Sequence, residues 1–109
     1  MHKPNVDAVG RDLTGRAASS KSGRAAETLY GGHEKVLRQT MLAMTEGTEL
    51  AEHDSPGDAT ILMISGRVRL TSGEVSWEGR DGDLLVIPDA RHSLLALSDA
   101  TFILTVAKR

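Results

Sequence analysis

The sequence predicts an all-β domain, a single small barrel of short strands. Three observations carry that prediction. From His33 onward, short apolar or alternating runs are separated by turn chemistry at Glu46-Gly47, Asp54-Ser55-Pro56-Gly57-Asp58, Ser72-Gly73 and Gly79-Arg80-Asp81-Gly82. No long amphipathic helical pattern and no internal repeat of roughly 20–50 residues interrupts them. The chain has 109 residues and is 39% hydrophobic, which supports one sizeable core and leaves no room for a second. Closing such a sheet into a barrel removes its exposed strand edges.

Each element follows from its local pattern. Residues 1–23 carry little apolar content, with Gly, Ser and Ala diluting the rest, and read as a short, partly disordered N-terminal arm. Within it, a short helix over residues 6–13 is only weakly signalled. The barrel domain is expected over residues 24–109. Arg24 to Tyr30 reads as a first edge strand, ended by Gly31-Gly32. Val36 to Met44 is β-compatible, and Thr48 to His53 is a short extended segment. Ala59 to Ile64 is a near-continuous apolar run, expected to be buried on both faces. Gly66 breaks that run.

Arg67-Val68-Arg69-Leu70-Thr71 and Glu74-Val75-Ser76-Trp77-Glu78 alternate, and Ser72-Gly73 between them is a two-residue hairpin signal. Arg67 and Arg69 are therefore expected to face solvent. Asp83 to Ile87 reads as another buried strand, ended by Pro88-Asp89. His92 to Leu97 and Thr101 to Val106 complete a set of roughly eight strands, the number a sandwich or barrel uses.

Composition narrows the function. The formal net charge is −2, which predicts no attraction to nucleic acid or to an anionic membrane. The early basic residues Arg11, Arg16, Lys21 and Arg24 have no aromatics interleaved and read as a solvated stretch. With no cysteine, disulfides and thiolate metal sites are excluded. The apolar runs are too short to span a bilayer, and Met1-His2-Lys3-Pro4-Asn5 leads into no apolar stretch, so a cytoplasmic protein is expected. Gly31-Gly32 and Gly79-x-x-Gly82 lead into no helix, which removes a phosphate-loop reading. No Gly-x-Ser-x-Gly motif is present.

Two segments carry a resemblance. Residues 47–66 run from Gly47 through His53, Ser55 and Ala59 to Gly66, and residues 82–92 run from Gly82 through Pro88 to His92. Together they resemble the two motifs of the cupin family over about residues 33–107. Both glycines and the first His of the first motif fit. Its second His is replaced by Ser55 and its Glu by Ala59. In the second motif Gly82, Pro88 and His92 match, Ala90 stands where a Gly is usual, and the spacing to His is one residue short. The resemblance implies a small jelly-roll barrel, commonly a homodimer, with motif side chains facing its cavity.

On that alignment His53, Ser55 and Ala59 face the cavity, Ile61 and Met63 continue the same parity, and His92 converges from another strand. Arg91, beside His92 at the rim, is the best basic candidate for an anionic ligand. His53 and His92 are the candidate metal ligands, and the cofactor the resemblance admits is a divalent metal (Zn, Fe, Ni or Mn) with an incomplete protein ligand set. Strand parity points Asp54 and Asp58 away from them, and Glu52 and His33 are weaker candidates. Met41, Met44, Met63, Trp77, Tyr30 and Phe102 read first as core or hairpin packing.

Three functions stay open. The favoured one is a small-molecule-binding barrel without redox chemistry, with His53, Ser55 and His92 as its oriented polar groups. The second is a metal-dependent, dioxygenase- or isomerase-like enzyme using His53 and His92. The third is a non-catalytic dimeric scaffold.

Overall fold

The computed structural model describes residues 3–54 and 57–108. One helix, α1 (Val6–Ser19), precedes nine strands: β1 (Arg24–Tyr30), β2 (Leu37–Met44), β3 (Glu49–His53), β4 (Gly57–Ser65), β5 (Arg67–Ser72), β6 (Val75–Arg80), β7 (Leu84–Ile87), β8 (His92–Ala96) and β9 (Ala100–Lys108). They form two facing antiparallel sheets, ordered β1-β2-β9-β4-β7 and β3-β8-β5-β6. This is the jelly-roll architecture the motif segments imply, and β1 is indeed an edge strand.

Cross-strand register stacks the interior in layers. On the first sheet, Met44 and Ala100 pair in the deepest row, followed by Leu42, Phe102 and Met63, then by Thr40, Leu104, Ile61 and Leu85. On the second sheet, Ala96, Val68 and Gly79 form one row, and Leu50, Leu94, Leu70 and Trp77 the next. Apart from Thr40 and Gly79, the residues of these rows belong to the main core or pack against it. Each fully buried Leu, Ile or Phe in it contributes about 1.5–3 kcal/mol. In β6, Gly79 is buried against the Leu85 side chain of the facing sheet, which a Cβ there would press into, so the missing methyl lets the two sheets close.

Four expectations need correction. Within the N-terminal arm, the helix only weakly signalled over residues 6–13 runs longer than expected, over Val6–Ser19, and docks on the outer face of the first sheet. Leu13 and Ala17 pack against Met41, Ala43 and Leu29 in a second core, and Gly10 lets the helix close on Met41. The Asn5 side chain caps its start by accepting from the Ala8 N–H at 2.9 Å. Asp7 in the first turn and Arg16 in the last suit the helix dipole.

The second correction concerns β4, which alternates between buried and exposed instead of being covered on both faces. Leu62 is 39% exposed because α1 spans β1 and β2 and leaves this part of the sheet open. β7 alternates for the same reason, with Leu84 and Val86 outward. Third, the β5–β6 hairpin turns on Gly73-Glu74, one residue later than expected, with Gly73 at φ 59°. Fourth, β6 continues through Arg80, so the following turn is shorter than the Gly79–Gly82 segment suggested. No helix among the described residues is long and apolar enough to cross a membrane.

Candidate functional site

Above the packed layers the barrel opens into a cavity of about 280 Å³. Nine of the thirteen described residues that line it are apolar, and Ile61, Leu70, Leu94 and Phe102 form its floor and walls. The other four are Arg38, His53, Asp54 and His92. They come from the top of the barrel, where the uppermost row of the first sheet reads Arg38, Val106, Ala59, Ile87 and His53 pairs with His92 on the second.

A bulge puts His53 there. Leu50 pairs with Leu94 and His53 with His92, so three steps along β3 match two along β8. Strict alternation would turn His53 away from the side that Leu50 occupies, and the extra residue restores it to the interior. His92 needs no such device, because it shares a face with Leu94 and Ala96, all three buried.

The two imidazoles meet edge to face, with ring centroids 4.5 Å apart and planes at 62°. Each is held the same way. His53 Nδ1 lies 2.8 Å from the Ala51 carbonyl oxygen, and His92 Nδ1 lies 2.9 Å from that of Ala90. A carbonyl only accepts, so each Nδ1 carries the hydrogen and donates it. In that tautomer Nε2 keeps its lone pair, as an acceptor or a metal ligand. His92 is buried and His53 exposed, so the pair spans the boundary between cavity and solvent.

The other expected site residues are distributed as follows. Ala59 and Ile61 lie on the cavity wall. Met63 faces inward one layer lower, buried in the solid core against the Phe102 row, and is not on the wall. Arg91 is not on the wall either, because it precedes inward-facing His92 and alternation turns it out. Its Nε lies 3.4 Å from the Glu52 carboxylate and 3.9 Å from that of Asp54, so it ties the end of β3 to the start of β8. Ser55 lies outside the described residues.

Two polar wall residues lie outside the expected set, Asp54, for which a loop excursion was the open route, and Arg38, which was not considered. Asp54 reaches the cavity mouth because β3 ends at His53, beyond which strand parity no longer applies. Arg38 was hidden by the two-faced character of β2. One of its faces packs into the barrel and the other against α1, so both parities carry apolar residues. Its one signal was a cation embedded in a long β-compatible run.

The donor set does not fit the metal centre that the fold family implies. Ala59 offers no donor atom, and no group of three or more His, Asp, Glu or Cys side chains comes together among the described residues. Two imidazoles fall short of the three protein ligands of a catalytic zinc site and of the two-His, one-carboxylate iron set.

No protein-family model matches this sequence, and no curated protein is significantly similar to it. Solved structures are similar. A Streptococcus pyogenes protein of unknown function is 26% identical with a TM-score of 0.74, the match covering 83% of this chain and 78% of that one. A cupin superfamily protein from Desulfitobacterium hafniense is 14% identical, with a TM-score of 0.72 and coverage of 79% and 78%. A salicylate 1,2-dioxygenase from Pseudaminobacter salicylatoxidans is 16% identical with a TM-score of 0.76. The match covers 92% of this chain but only 33% of the dioxygenase. These likenesses establish the fold.

Proposed function

Proceeding from a small cupin-fold barrel, we propose that this chain binds a small organic molecule in its cavity without using a bound metal. The observation that carries the reading is the His53–His92 pair. Two imidazoles, each fixed through Nδ1 to a backbone carbonyl, stand at the mouth of a largely apolar cavity, with too few neighbouring donors among the described residues to complete a coordination sphere. Apolar walls with a few convergent polar groups are the usual design of a ligand pocket. An N–H or O–H on the ligand would be received by the imidazoles, and the apolar walls would take its body.

Native mass spectrometry and elemental analysis of the untagged full-length chain test this. A co-purified small molecule, with zinc, iron, nickel and manganese all far below one per chain after reconstitution at neutral pH, is the expected result. Near-stoichiometric metal that is lost in the H53A/H92A double variant would replace the reading. The alternative is then a metal-dependent enzyme, which the contact between the two imidazoles at the cavity mouth favours over a purely scaffolding role.

A further inference from the structure

We propose that the pocket takes a small amphipathic organic anion, with its carboxylate held by Arg38 at the mouth and its apolar body against Ile61, Leu94 and Phe102. This rests on the pocket reading above and names the ligand class. Arg38 and Ala59 lie in one row across the first sheet, each pairing with Val106 of β9. Ala59 stands where the motif resemblance calls for a carboxylate. The row therefore carries a cation and no carboxylate, which opposes a divalent metal and favours a negatively charged ligand.

The other charges at the mouth are already engaged. Arg91 meets both Glu52 and Asp54. Arg38 makes no ion pair among the described residues. A guanidinium lining a cavity without a protein partner presents a planar fork that matches a carboxylate in two parallel hydrogen bonds. Behind it the walls are apolar, so the rest of the ligand is hydrocarbon-like. The cavity, at about 280 Å³, sits at the low end of the roughly 300–1,000 Å³ typical of ligand sites, so the molecule is short.

Hexanoate and its uncharged isostere hexanamide are the probes, titrated into the full-length chain at neutral pH and followed by NMR. Both should shift the signals of His92 and Leu94, with hexanoate binding at least about tenfold more tightly, the effect of one charge-assisted hydrogen-bonded pair. R38Q should abolish that preference and leave hexanamide unchanged, and R38K should restore part of it. Added salt should weaken hexanoate alone. Equal affinity of the two probes for the wild-type chain, or a preference that survives in R38Q, overturns the anion inference while the pocket reading stands. If neither probe moves His92 or Leu94, both fall.

Discussion

His53 and His92 face each other across one ladder but carry different weights. His92 is buried, and its ring fills space beneath the cavity mouth while donating to Ala90. Truncating it to Ala leaves a void and an unsatisfied carbonyl, so H92A should cost about 1–3 kcal/mol in urea unfolding. The His53 ring is exposed, and H53A should stay within about 0.5 kcal/mol by the same measurement. Equal losses for the two would contradict this placement. Elsewhere, hydrogen bonds from Arg67 and then Arg69 hold the Glu78 carboxyl below the ordinary carboxylate range. A depressed folded-state pKa stabilises above the unfolded value, and the gain is lost as pH falls through the folded one. An NMR titration of Glu78 should therefore show a low midpoint that rises toward the ordinary value in R67Q and in high salt. Because the ion pairs are solvent-exposed, E78Q should leave neutral-pH unfolding almost unchanged. The outward direction of Arg67 and Arg69 was legible from their alternation with Val68 and Leu70, since a half-buried strand has only one wet face. The role of Arg38 was not, because both faces of its strand are covered along part of their length.

At the scale of elements, α1 is the departure from a purely β reading. Its apolar stripe is thin: Leu13 with Val6 and Val9, eked out by Gly10 and Ala17. Small residues give little signal in a sequence, yet they let the helix approach Met41 closely, and the packing then supplies what the pattern lacks. L13A should lower stability by about 2–4 kcal/mol. N5A, which removes the cap, should cost about 1 kcal/mol. Amide exchange should show residues 10, 13 and 17 protected in the wild-type chain, and fast exchange there would mean the helix is not docked. Gly66, between β4 and β5, sits at φ 86°, and a Cβ would press on the Asp99 carbonyl oxygen. G66A should therefore cost about 1–3 kcal/mol or more. That glycine was visible as the break after an apolar run. The bulge in β3 was not visible, because its extra residue is defined only against the partner strand.

Across the whole molecule, the barrel is solid at one end and open at the other. Met63 is 1% exposed in the closed layers, whereas Ile87 at the mouth is 8% exposed and borders the cavity. M63A should cost more than I87A within the roughly 2–5 kcal/mol span of such truncations, because only the mouth already has empty space beside it. Filling the cavity with I61W should abolish binding of a pocket ligand. If binding survives in a folded I61W chain, the ligand lies elsewhere. The sequence by itself determined where most strands and turns fall, because alternation and turn glycines are properties of neighbouring residues, and the motif resemblance pointed His53 and His92 toward one cavity. Only the tertiary structure decided that residues 6–19 dock as a helix, that a bulge aims His53 inward and that Arg38 reaches the cavity. Each of these depends on which distant strand lies alongside, and a face of β2 has no inside or outside until β9, α1 and the second sheet enclose it.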